Sequence, residues 1–250
     1  MANLDERFWE VDFIRGLALI GIVIFNWLYA LKFLDIYTFE GGPAFWSLVP
    51  MVTAGTFIAL VGLSLNLSYS RAVRKYNKKN FFGKYLSRGL KIFSLGLLIT
   101  VVTWYFMKEG FVYFGILHLI GLSIILAYPF LRYIDNIISI YTIGILLFFV
   151  GALIQTMTFD FNWLLWVGFR PEGFHSVDYF PLLPWFGLVL LGLALGKTYY
   201  PKYERNFDEP REPHRVEEYL CFLGRHTLKV YMIHQPVLFA ILYLLGYNLF

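Results

Sequence analysis

Seven apolar stretches govern what this chain can fold into. They run approximately over residues 13–33, 45–67, 90–106, 112–131, 137–157, 179–195 and 227–247. An α-helix needs about 20 mainly apolar residues to cross the hydrocarbon core of a bilayer. Inside that core every backbone N–H and C=O must find a partner within the protein, which leaves helices for stretches of this kind. The spacing therefore predicts an all-α, polytopic membrane helix bundle with about seven transmembrane helices. Composition agrees, with 58% hydrophobic residues and only 15% charged. A soluble domain carries about a quarter charged residues. No connection is long or apolar enough for a second folded domain, so residues 1–250 are expected to form one transmembrane domain.

Charge orients the bundle. Of 21 Lys and Arg residues, only Lys32, Lys108 and Arg170 fall in loops on the side opposite the N-terminus. Positive residues accumulate on the cytoplasmic side of membrane proteins, so the N-terminus is expected in the cytoplasm. The acidic opening "MANLDERFWEVD" lacks the basic start of a secretory signal and predicts no cleavage. The net charge of +4 is then a topology signal, not a nucleic-acid footprint. Trp46, Trp104, Trp163 and Trp166 fall near outer ends, where interfacial anchors belong. Residues 70–91 form a basic loop suited to anionic lipid headgroups. Residues 199–219, Pro-rich and of mixed charge, read as a second long loop, and residues 157–178 either as an aromatic outer cap or as a plain hydrophobic loop over the bundle. The single Cys221 excludes an intrachain disulfide, and the five scattered histidines show no metal-binding spacing.

Polar groups inside spans are expensive and mark functional sites. Helical rise sorts them by depth into two groups. Glu10, Asp12, Arg15, Lys229, His234 and Gln235 lie toward the inner side. Asn26, His118, His175, Asp178 and Tyr179 lie toward the outer side, with Asn26 about 21 Å beyond Asp12 along the helix. Each has a structural counterpart reading: Asp12 and Arg15 can simply pair, His118 can be a neutral core histidine, and Asn26 can be interhelical glue. The prolines of "FPLLPWFG" break the sixth span near its outer end and free backbone carbonyls.

Five stretches in order, "RFWEVDFIRGLALIGIVIFNWLY", "TFIALVGLSLNLSYSR", "FGILHLIGLSIIL", "VDYFPLLPWFGLVLLGLALG" and "LGRHTLKVYMIHQPVL", resemble the heparan-α-glucosaminide N-acetyltransferase catalytic-domain family. The D-x-x-R-G start also resembles the wider acyltransferase-3 type. The resemblance implies acyl transfer, acetyl above all, from cytoplasmic acetyl-CoA to a sugar amine or hydroxyl beyond the membrane. The protein is expected to be multi-pass in the cell membrane, with membrane lipids and a homodimer as further expected partners, and with no metal and no nucleic acid. Arg15 would attract the CoA phosphates, Asp12 would orient Arg15, and His234 and Gln235 would line the passage for the pantetheine arm. Asp178, Tyr179 and His175 would hold the acceptor. The wider superfamily often has a histidine fourteen residues after the aspartate, where this chain has Asn26. The resemblance therefore leaves the base open: His118 with Asn26 polarising the thioester, or Asp178 or His175. A chain that kept the fold and lost the chemistry, or a transporter or flippase for an anionic or lipid-linked solute, would carry the same buried charges.

Overall fold

The computed structural model describes residues 7–107, 109–208 and 211–247. Lys108, counted above with the outer loops, and the first six residues lie outside that range. Among the described residues the regular elements are helical. They are α1 (Trp9–Phe33), α2 (Gly42–Tyr76), α3 (Phe82–Met107), α4 (Ile116–Leu126), α5 (Tyr128–Tyr133), α6 (Ile137–Ile154), α7 (Leu182–Tyr199), α8 (Arg215–Arg225) and α9 (Thr227–Leu244). A single 3-10 turn spans Pro201–Tyr203. Among the described residues seven spans are long and apolar enough to cross a membrane, with α4 and α5 together forming one. Pro129, in the first turn of α5, has no N–H to continue the ladder, which accounts for the break between α4 and α5.

The chain divides into two compact units. One is built on Ile58–Asp208, the other on Asp5–Phe57 with Glu209–Phe250. In the first, α3 packs along α4 and α6 along α7. Glycines let backbones meet: a Cβ on Gly62 would overlap the Val189 carbonyl, and one on Gly192 the Ala59 carbonyl. α6 begins at a capping asparagine, where Asn136 Oδ1 accepts the Ile138 N–H at 3.0 Å. The proline break expected in the sixth span is present, since Leu183 is non-helical at φ −101°, ψ 131°. Its carbonyl is taken by Gln155 Nε2 at 3.2 Å, so the freed acceptor is satisfied by protein.

The second unit holds α1, the start of α2, α8 and α9. Residues 199–219, expected as a loop, contain the first five residues of α8. The His214 N–H donates to Glu217 Oε2 at 2.7 Å, and Arg211 grips the same carboxylate at 2.7 and 2.8 Å. This is a helix-starting box, with Glu at the third helical position satisfying a backbone donor that has no helical partner. The exposed pair draws the Glu217 carboxyl down to about 2, chiefly through Arg211. Where α8 meets α1 the spacing is minimal. A Cβ on Gly16 would overlap the Leu220 carbonyl, and one on Gly224 the Asp12 carbonyl. Cys221 is buried there and its thiol donates to the Trp9 carbonyl at 3.3 Å. Farther along α1, Ala30 packs with Leu238 and Leu242 of α9 under Trp27, Leu31 and Leu34.

Candidate functional site

In the unit of α1, α8 and α9, two polar sets lie along α1. At its first turns, Arg15 Nη1 donates to Asp12 Oδ1 at 2.6 Å and to the Gly224 carbonyl at 3.3 Å. Arg7 approaches the other Asp12 oxygen at 3.7 Å. Asp12 is 6% exposed, so an aspartate here needs its partners. The pair thus does what the structural reading foresaw, and it also ties α1 to the end of α8. A helix C-terminus leaves carbonyls unpaired and favours a cation, and Arg15 supplies both the charge and the donor.

The second set overturns the sorting by depth. His234, expected with the inner group, lies against Asn26, expected with the outer one: Asn26 Nδ2 is 3.3 Å from His234 Nε2. Gln235 Nε2 reaches the Asn26 carbonyl at 3.5 Å, and the Trp27 indole N–H donates to the His234 carbonyl at 3.1 Å. The reason is the baseline. Gly224 sits beside Asp12 and Gly16. From there the ten residues to His234 climb as far as the ten from Gly16 to Asn26, at about 1.5 Å each. The Gln235 Oε1 is buried without a hydrogen-bond partner. Trp27 was not singled out in the sequence, although a tryptophan beside an in-span asparagine was the available signal.

The protonation of His234 follows from its neighbours. Nδ1 lies 2.6 Å from the Tyr231 carbonyl, which can only accept, so Nδ1 carries the proton. Neutral His234 then has its lone pair on Nε2, where the Asn26 amide donates. This is a base nitrogen held in place by its other ring nitrogen, the arrangement that orients catalytic histidines.

In the other unit, residues 110–116 and 176–180 are joined side by side. Phe180 N–H donates to the Phe114 carbonyl at 2.8 Å, Val177 N–H to Gly110 at 2.9 Å, and Ser176 Oγ to Phe111 at 2.8 Å. This brings Asp178 to the start of α4, where Oδ2 accepts the Ile116 N–H at 3.2 Å. Burial pushes the Asp178 carboxyl up to about 6 against the lowering effect of that N–H. His118, in the first turn of the same helix, accepts the Gly115 N–H on Nδ1 at 3.1 Å. It is 2% exposed, with Phe93 and Phe114 rings at 5.1 and 5.3 Å. Because Nδ1 accepts, neutral His118 has its proton on Nε2 and no lone pair left for a base. Tyr179 donates its hydroxyl to the Leu165 carbonyl at 2.8 Å, and His175 is exposed beside Gly110. Asn66, overlooked in the sequence, is 2% exposed with Nδ2 unpartnered.

Seven apolar spans with buried polar residues along them define a multi-pass membrane protein. The chain belongs to the family described as heparan-alpha-glucosaminide N-acetyltransferase, catalytic, whose model matches residues 7–236 and so reaches into both compact units. No individual curated protein and no solved structure matches it. It is thus a membrane protein of an acyltransferase family, and among the described residues no group of three His, Cys, Asp or Glu side chains could hold a metal ion.

Proposed function

We propose that the protein moves an acetyl group from cytoplasmic acetyl-CoA to an amine or hydroxyl of a sugar beyond the cell membrane, and that the two units act as one acyltransferase domain. The observation that carries this reading is the Asn26–His234 pair. His234 Nε2 takes the proton of the attacking amine or hydroxyl as that atom bonds to the thioester carbonyl carbon. The Asn26 amide, released from Nε2, donates to the oxyanion that forms. Collapse of the tetrahedral intermediate breaks the C–S bond, and the CoA thiolate leaves with the proton from His234. The Tyr231 carbonyl holds Nδ1–H throughout and stabilises the transient imidazolium.

On the same reading Asp12 and Arg15 hold the donor's charged end, with Arg15 presenting guanidinium N–H groups to phosphate. Gln235 lines the passage beside the pantetheine arm, whose amide N–H groups suit its unpartnered Oε1. His118, Asp178 and Tyr179 then act as ties at the start of α4 and its adjoining loops, not as base or acceptor ligands. The cytoplasmic N-terminus follows from the Lys and Arg distribution.

The test is transfer of labelled acetyl from acetyl-CoA to glucosamine and a small sugar panel in nanodiscs. Removing a general base slows transfer by about 10²–10⁴-fold. His234→Ala should show that loss and His118→Ala should not, when rates are compared per folded molecule. Full transfer by His234→Ala would overturn the assignment. Acetyl-CoA binding without transfer to any sugar by the wild type would point to a chain that kept the fold alone.

A further inference from the structure

α8 has three sides. With successive residues about 100° apart, Phe222, Tyr219, Leu223 and Val216 fall within an arc of roughly 120°. Leu220, Cys221 and Gly224 occupy the arc docked on α1, which also holds Glu217; Glu218 and Arg225 share the remainder, and Arg215, at the first position, falls inside the apolar arc. Val216 is 71% exposed, Tyr219 74% and Phe222 53%, which is a large apolar display for so short a helix.

Its position says what should cover that face. Only His226 separates α8 from α9, a span, and α8 packs at Asp12 and Gly16 near the charged end of another span. The helix therefore lies where spans leave the hydrocarbon. Its apolar arc is accompanied by exposed apolar residues on both neighbours, Ile14 and Leu17 on α1 and Leu228 on α9. Eleven residues, about 16 Å, cannot cross a bilayer core of about 30 Å. Arg215, Arg225 and Lys229 supply cations at its margins, and their long stems let charge reach headgroups while the arc stays in lipid. A short helix with one apolar arc and cationic margins is what the headgroup–acyl boundary takes up.

We propose that α8 is an interfacial helix whose Val216–Tyr219–Phe222 face is seated in the headgroup–acyl boundary of an anionic leaflet. The Arg15 bond to the Gly224 carbonyl then joins a lipid-seated helix to the charged turn of α1.

Site-directed nitroxides in nanodiscs of mixed phosphatidylcholine and phosphatidylglycerol test this. In a Cys221→Ala background, Val216→Cys, Tyr219→Cys and Phe222→Cys report the arc and Glu218→Cys the polar flank next to it. Collisions with oxygen, which partitions into lipid, and with a water-soluble nickel chelate are measured at each site. The ratio of oxygen to nickel collisions should be several-fold higher at 216, 219 and 222 than at 218. Nickel collisions at 219 equal to those at 218 would place the face in water. Exclusion of both reagents from the arc would mean protein covers it, a second copy included. Either result overturns the proposal, and four separate label sites keep it testable if one variant does not fold.

Discussion

If Asn26 and His234 serve one transfer step, their removal cannot be additive. Asn26→Ala deletes an amide donor, and losing one oxyanion donor costs about 10²–10³ in rate, or about 2.7–4 kcal/mol. His234→Ala deletes the base, at about 10²–10⁴. Independent effects would multiply to roughly 10⁴–10⁷ in the double variant. The structure argues otherwise. The amide rests on the base nitrogen at 3.3 Å, a long contact that yields easily when the acceptor arrives. With the His234 ring gone, the slower attack that remains still forms an oxyanion, but nothing holds the Asn26 amide at the place where it forms. The double variant should therefore be about as slow as His234→Ala alone, as for catalytic residues that act as a unit. The assay is single-turnover acetyl transfer at saturating acetyl-CoA, with all three variants matched for folded fraction. Multiplicative losses would refute the shared step, and an Asn26→Ala variant at wild-type rate would remove the amide from the chemistry.

Two further outcomes follow from packing and charge. Gly224→Ala puts a methyl into the Asp12 carbonyl, a backbone atom that cannot swing aside, so α8 must move from α1 and Arg15 loses its Gly224 contact; a loss of about 1–3 kcal/mol is expected from overpacking, read as a lower unfolding midpoint in detergent, whereas Gly83→Ala, helical and with open space around it, should hold or slightly raise the midpoint. Asp178, raised from 3.8 to about 6, binds its proton more tightly folded than unfolded, so stability should fall as pH rises from about 4 through 6 and level off above. Two pKa units bound the effect at about 3 kcal/mol, lessened by partial exposure of the carboxyl. Asp178→Asn, which can still accept the Ile116 N–H, should flatten that slope; an unchanged slope would show that another group titrates.

The spans were legible because a bilayer imposes one demand, twenty or so apolar residues in a row, and a sequence states that directly. α8 was not, although its signal was present. "HRVE" places a glutamate three positions after His214, where it can satisfy a free N–H, but Pro210, Pro213 and the mixed charge around it read as loop. The site was legible in its members and not in its pairing. Asp12, Arg15, Asn26, His234 and Gln235 all stand out as polar residues within or beside apolar runs. What brings Asn26 to His234 is the contact of Gly16 and Gly224, two glycines that look unremarkable in a chain with 21 of them. Only a tertiary contact fixes the level at which α9 starts along α1.

The choice between the two buried histidines rests on where each sits in its helix. The first turn of a helix offers N–H groups that have no helical acceptor, while the interior offers only carbonyls. His118 is in the first turn of α4, so its Nδ1 meets a donor and must accept, which leaves the proton on Nε2. His234 is inside α9, so its Nδ1 meets the Tyr231 carbonyl and must donate, which leaves the lone pair on Nε2, held only by the long contact from the Asn26 amide. Position along a helix thus sets the tautomer, and the tautomer sets which chemistry each ring can do. His118 matched the expected depth of a base and had the wrong nitrogen free. His234, separated from Asn26 in the sorting by depth, lies against it and has its lone pair on the right nitrogen, with an amide donor already beside it.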